Sequence, residues 1–131
     1  TLSSSSAASD VYKRQGINPV HRAALAAMAA SILLIGIDGT SAALTLAGGL
    51  LFGAAYIMLT GIYLLWGVSA LPDRPATGVT LAFLALAIGQ TAGAPGFGWL
   101  MDRLTATAAV IAFACLALTA GLARAEASRA P

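Results

Sequence analysis

From residue 19 onward, long apolar stretches alternate along the chain with short polar breaks. The clearest of these stretches is GVTLAFLALAIGQTAGAPGFGWLMDR, residues 78–103, in which no formal charge occurs before Asp102. An apolar helix of about 20 residues crosses a hydrocarbon core of about 30 Å at roughly 1.5 Å per residue. A helix in a soluble protein would need a polar face, which this stretch lacks. The pattern therefore predicts a transmembrane helix here.

The same pattern repeats, and it predicts an all-α polytopic membrane protein with four transmembrane helices. Two prolines and the pair Asp73 and Arg74 mark a loop at residues 71–77. Asp102 and Arg103 lead into a second, tight connection. The predicted spans cover about residues 19–37, 42–71, 78–101 and 105–123.

The two ends of the chain differ from the apolar part. Residues 1–15, TLSSSSAASDVYKRQ, are serine-rich, have no helical period and resemble sequencing-adapter DNA read as protein. We interpret them as a disordered, non-native scar, and we expect the natural protein to continue upstream, so that the chain is a fragment. A signal peptide is disfavoured because the basic pair Lys13 and Arg14 follows the serines. Residues 16–123 then form the transmembrane segment, and residues 124–131 form a polar tail.

Composition supports a location in a lipid bilayer. Hydrophobic residues make up 59% of the chain and charged residues 9%, with a mean hydropathy of +0.86. A soluble domain would carry about a quarter charged residues. The net charge of +2 is too small to suggest a nucleic-acid partner. Basic residues in cytoplasmic loops account for such a balance in a membrane protein.

The distribution of arginine predicts the orientation. With four spans, the segment before the first span, the loop at residues 71–77 and the tail share one side of the membrane. That side carries four arginines outside the doubtful start, and the other side carries only Arg103. The positive-inside rule therefore places both ends in the cytoplasm of a bacterial inner membrane. The four arginines are Arg22, Arg74, Arg124 and Arg129.

The residues that support covalent or acid–base catalysis are scarce. The second, third and fourth predicted spans contain no Asp, Glu, Lys, Arg or His, and the chain has one histidine, His21, and one cysteine, Cys115. This set offers no cluster of metal ligands, no Ser-His-Asp combination and no phosphate-binding loop. The sequence therefore predicts a protein that is not an enzyme and needs no metal or cofactor.

Four polar side chains within the spans are candidates for a substrate cavity. Tyr56, Thr60 and Tyr63 recur at spacings of four and three, so they share one helix face. This face suits either a cavity or a helix interface, and Tyr63 equally suits the aromatic belt of a membrane protein. Gln90 needs a partner because an unpaired amide in hydrocarbon costs several kcal/mol. That partner is either a neighbouring helix or a substrate.

Glycines and one proline in the second and third spans indicate helix packing. Gly-x-x-x-Gly pairs let two helices approach closely, and a proline inside a helix frees a carbonyl group and bends the chain. The bend is either static or a hinge. The packing and hinge candidates are Gly49, Gly53, Gly89, Gly93, Pro95 and Gly98.

The stretch GQTAGAPGFGWLMDR, residues 89–103, resembles the eleventh transmembrane helix of a major facilitator superfamily transporter. Such helices combine glycines and a proline with an Asp-Arg end. The preceding loop PDRPA, residues 72–76, is similar to the cytoplasmic loop between helices ten and eleven in bacterial members. By this resemblance, which covers residues 16–123, the four spans correspond to helices nine to twelve.

The resemblance implies a function. Members of this superfamily are twelve-helix secondary transporters that move small organic solutes by alternating access to a site near the midplane. Helix ten lines the central cavity, so the resemblance implies that Tyr56 and Thr60 face it. The missing N-terminal helices of the same transporter are then the expected partners of this chain.

Two alternatives remain from the sequence. A complete small four-helix membrane protein could act as a scaffold or subunit, with its glycine faces as assembly surfaces. A dimeric multidrug exporter has a similar length and number of spans, but that class relies on a glutamate in its first span, which this chain lacks.

Overall fold

The computed structural model describes residues 17–122, which form four helices and no strand. The helices are α1 (Ile17–Gly36), α2 (Ala42–Ala70), α3 (Pro75–Arg103) and α4 (Ala106–Ala120). The prediction of an all-α membrane bundle is confirmed, because α1, α2 and α3 are long and apolar enough to cross a membrane. The fourth is a shorter apolar helix of 15 residues. The predicted scar and polar tail lie outside the described residues.

The helix ends follow local capping chemistry. The Ser41 side chain accepts a hydrogen bond from the Leu44 backbone N–H at 3.4 Å and caps α2. Thr105 caps α4 in the same way, with the Ala108 N–H at 3.1 Å. The third helix begins at Pro75, three residues before the predicted position, because a proline at the first helical position loses no hydrogen bond. The loop between α2 and α3 is therefore only residues 71–74.

The four helices form a closed ring in which each contacts its neighbours in the chain and α1 also contacts α4. The diagonal pairs, α1 with α3 and α2 with α4, do not meet within the described residues. Arg22 Nε donates to the carbonyl oxygen of Gly121 at 3.2 Å, which places the start of α1 beside the end of α4. Thr107 donates to Asp38 at 3.2 Å at the other end of the bundle. Neighbouring helices are therefore antiparallel.

The densest packing lies where α1 meets α2 and α4. Ala24, Leu25, Leu59 and Ile62 form the buried core there. A side chain on Gly48 would press against Leu34 at 2.9 Å between their Cβ atoms, so the absence of a side chain lets α2 approach α1. Close approach at small residues is how helices associate where lipid is as apolar as the side chains.

The third helix is packed much less. Its only buried residue among those described is Gly78, and large apolar side chains such as Leu81, Phe83, Leu84 and Ile88 are exposed along it. An apolar outer surface of this kind suits contact with hydrocarbon or with further membrane helices.

Candidate functional site

A groove of about 610 Å³ separates α2 from α3. Its walls are mostly apolar, formed by Trp66 and Ala70 on α2 and by Leu81, Ala85 and Leu86 on α3. Its lining contains no side chain with a formal charge. Such a combination of apolar walls and few polar groups is typical of small-molecule sites.

The groove closes at the end nearest the loop at residues 71–74, where Gly67 of α2 meets Gly78 of α3. A Cβ placed on Gly78 would overlap the carbonyl oxygen of Gly67, and a Cβ on Gly67 would overlap the carbonyl oxygen of Gly78. Only two glycines allow the backbones to come this close. The helices diverge from this contact and leave space between them.

At the far end, one hydrogen bond joins the two helices across the groove. The Gln90 side-chain amide of α3 donates to the Tyr56 hydroxyl of α2 at 2.5 Å. The Phe52 ring stacks on the Tyr56 ring, with centroids 6.4 Å apart and planes 10° from parallel. Both members of the hydrogen-bonded pair are exposed in this structure, and both line the groove.

Near the closed end, Tyr63 and Trp66 of α2 form an aromatic cluster with His21 of α1. His21 Nε2 lies 3.2 Å from the Tyr63 hydroxyl, and the imidazole and Trp66 rings are 4.6 Å apart between centroids. His21 is only 1% exposed. Its Nδ1 and the Trp66 Nε1 are buried without a hydrogen-bond partner among residues 17–122. Tyr63 and Trp66 also line the groove, so this cluster forms part of its wall.

The structure brings three of the four predicted cavity residues to one groove. Tyr56, Tyr63 and Gln90 line it, although they come from two helices. Thr60 does not line it, and its hydroxyl donates to the Tyr56 carbonyl oxygen on its own helix at 2.9 Å. A role for these residues in binding substrate stays a prediction at this point.

The predicted glycines lie on open surfaces of the described bundle. A Cβ on any of these five glycines would meet nothing within 4 Å, and α3 continues without interruption through Pro95. Their packing and hinge roles therefore stay predictions. The five are Gly49, Gly53, Gly89, Gly93 and Gly98.

Sequence reasoning missed the glycines that make contact here, Gly67 and Gly78. They belong to different helices and so form no Gly-x-x-x-Gly pair. A usable signal was their symmetry, because each lies four residues from the loop at residues 71–74. Two helices joined by a short loop are closest to each other within about one helical turn of that loop.

Sequence reasoning also passed over His21 as a flanking residue. The signal was its position inside the predicted first span, because an ionisable side chain within a span is by default a functional candidate. Only the structure shows which partners it meets.

The remaining predicted residues lie at the ends of α3. Asp73 and Arg74 are exposed in the loop before it. Asp102 and Arg103 are exposed at its end, where the Arg103 guanidinium lies 6.0 Å from the centre of the Trp99 ring. Within residues 17–122, no group of three or more His, Cys, Asp or Glu side chains could hold a metal ion.

Comparison with known proteins identifies a family. A family described as "Uncharacterised MFS-type transporter YbfB" matches residues 3–125, nearly the whole chain. The matched range includes most of the serine-rich start, whose interpretation as a scar stays a prediction. Searches of curated proteins and of solved structures found no match.

Proposed function

The chain belongs to this family of major facilitator superfamily (MFS) transporters, and we propose that the groove between α2 and α3 is part of its solute path. The transporter moves a small organic solute across the bacterial inner membrane by alternating access. The observation that carries this proposal is the convergence of Tyr56, Tyr63 and Gln90 on one groove.

Polar groups within apolar spans favour a solute path over a lipid-facing surface. An amide or hydroxyl turned toward hydrocarbon without a partner costs several kcal/mol, whereas a solute or water in the groove would satisfy it. Tyr56 and Gln90 satisfy each other only in part, because the Gln90 amide has a second N–H and a carbonyl oxygen. We therefore propose that other helices of the same transporter cover the open side of the groove.

The packing supports a moving α3. This helix is fixed to α2 at the Gly67–Gly78 contact and pairs only weakly with α4, through contacts such as Phe97 on Phe113 with ring centroids 5.1 Å apart. Beyond the glycine contact, α3 is joined to α2 by the hydrogen bond between Gln90 and Tyr56, so a tilt of α3 about the glycines would break few interactions. Such a tilt is one way to open the groove to either side of the membrane in turn.

Cysteine labelling tests the proposal. Ala85 lines the groove, whereas Ala87, two residues further along α3, is exposed on a different surface of the helix. In a background with Cys115→Ser, Ala85→Cys and Ala87→Cys are introduced singly, and membranes from cells that express the protein are treated with a charged, membrane-impermeant thiosulfonate. The reagent needs a thiolate, and a thiol ionises in water but not in hydrocarbon.

We expect the A85C protein to be labelled and the A87C protein to resist. A solute that slows labelling of A85C would then be a candidate substrate. Equal labelling of both cysteines, or labelling of A87C alone, would contradict a solute path in this groove.

A further inference from the structure

His21 is the one histidine of the given chain and is almost fully buried, against a wall of the groove. Two helices, α2 and α4, pack on α1. From α2 His21 faces Tyr63 and Trp66. The only titratable side chain of α4, Cys115, is exposed, and α3 does not contact α1 within the described residues. On α1 itself, Arg22 is exposed and directs its guanidinium to the Gly121 carbonyl oxygen.

The hydrogen bond between His21 and Tyr63 depends on the protonation state of the imidazole. A neutral imidazole has one N–H donor and one acceptor nitrogen, which can exchange places. The Tyr63 hydroxyl can then act as donor or acceptor toward Nε2. A protonated imidazolium carries N–H groups on both nitrogens, so Tyr63 can only accept from it. The Tyr63 hydroxyl can then no longer donate to His21, which leaves its proton for another acceptor, and Tyr63 is one of the residues that line the groove.

We propose that protonation of His21 sets the hydrogen-bonding character of the groove, and that the protonated form favours a solute with an acceptor oxygen, such as a carbonyl or ether. This inference rests on the proposed transport function, because it names the class of solute. The proton comes from water and binds the free ring nitrogen, and no other covalent bond is made or broken. His21 acts through Tyr63 and is a positioning residue.

A second observation supports an exchangeable site here. Nδ1 of His21 and Nε1 of Trp66 are both buried without partners among the described residues. Buried polar atoms are nearly always paired in native proteins, so each of these nitrogens calls for a partner such as an ordered water, and Nδ1 is also an atom that a proton can bind. The other end of the groove offers a contrast, because Gln90, which bonds Tyr56 there, does not titrate.

Trp66 provides a direct readout of His21. A protonated imidazole in contact with an indole ring quenches its fluorescence, and the two rings are 4.6 Å apart. The chain has two tryptophans, so Trp99→Phe leaves Trp66 as its only tryptophan. The protein in lipid nanodiscs is titrated from about pH 9 to about pH 4, a range that brackets an ordinary histidine. We expect a one-proton decrease in emission.

Two substitutions at His21 test the assignment. His21→Gln keeps a bond to Tyr63, because a glutamine amide can reach a position near that of Nε2, and His21→Asn provides a second non-titrating variant. Both should give flat titrations while far-UV circular dichroism shows unchanged helicity. A flat titration of the parent, or a titration that persists in both variants, would overturn the proposal.

Two tyrosine variants test the path through Tyr63. Tyr63→Phe removes the acceptor of the imidazolium, and the pH of half-quenching should fall by about one unit. Tyr56→Phe, at the other end of the groove, should leave it unchanged. Equal shifts in the two variants would overturn the role of Tyr63.

A pair of probes tests the solute class. Binding and protonation are reciprocally linked, so a ligand that prefers the protonated form must raise the half-quenching pH. Dicyclohexyl ketone offers one acceptor oxygen on an apolar frame, and dicyclohexylmethane lacks it. We expect only the ketone to raise the half-quenching pH, and equal effects would overturn the acceptor class. Labelling of A85C does not depend on His21, so it separates a failure of this inference from a failure of the transport function.

Discussion

The two ends of the groove are held together by different means. At the closed end, the backbones of Gly67 and Gly78 touch because neither residue has a side chain. At the open end, the helices stand apart and a single hydrogen bond between Tyr56 and Gln90 joins them. The closed end therefore sets the distance between α2 and α3, whereas the open end sets only the polar groups that a solute would meet.

The two ends also differ in the chemistry of their tyrosines. Tyr63 bonds a buried histidine on α1, and Tyr56 bonds an exposed amide on α3. Although both tyrosines line the same groove, Tyr63 has a titratable partner and Tyr56 a neutral one. A single helix thus presents two polar groups that respond differently to pH and to movement of α3.

The largest expected effect is at the closed end. Gly78→Ala places a methyl group against the Gly67 carbonyl, and moving the helices apart should cost roughly 1–3 kcal/mol of unfolding free energy. Gly89→Ala is the matched control on the same helix, because a Cβ there meets nothing within 4 Å. Removing a helical glycine should make that control neutral or more stable by about 0.5–1 kcal/mol. Thermal or denaturant unfolding in detergent measures both.

The comparison between the ends fails if the two alanine variants have the same stability. A second pair, Gly67→Ala with the open Gly61→Ala as its control, repeats the test on α2.

A smaller effect is expected at the open end. A double-mutant cycle of Tyr56→Phe and Gln90→Leu should give a coupling energy of about 0.6 kcal/mol, and at most about 1.7 kcal/mol, because hydrogen bonds between membrane helices are weak. The same cycle with Tyr63→Phe in place of Tyr56→Phe should give no coupling, since Tyr63 bonds α1 instead. Unfolding of the single and double variants provides the four free energies. A coupling that is equal in both cycles would show that the pair is not specific.

The smallest effect is expected at Thr60, which lies between the two tyrosines in sequence. Its hydroxyl bonds the carbonyl of its own helix, so Thr60→Val should change the unfolding free energy by less than about 0.5 kcal/mol. It should also leave labelling of A85C unchanged. A marked loss of A85C labelling in the T60V protein would contradict this assignment and indicate that Thr60 contributes to the groove.

Local chemistry made much of the fold predictable. The break at Asp38 and the capping residue Ser41 lie where α1 ends and α2 begins. The start of α3 was less predictable, because a proline fits both a loop and the first turn of a helix. In the structure Pro75 is the first residue of α3. The site was predictable only as far as polar side chains stand out in an apolar helix, as Tyr56 and Gln90 do.

The apolar stretches are enough to predict the helices, because a backbone in hydrocarbon must satisfy its hydrogen bonds within each helix. The sequence also identifies the polar side chains, which a helix in hydrocarbon accommodates only when they have a hydrogen-bonding partner. Three contacts become visible only in the packed bundle, where Gly67 meets Gly78, Gln90 meets Tyr56 and His21 meets Tyr63. These pairs join different helices, and their identity depends on how helices rotate and cross, which the spacing within one helix does not encode.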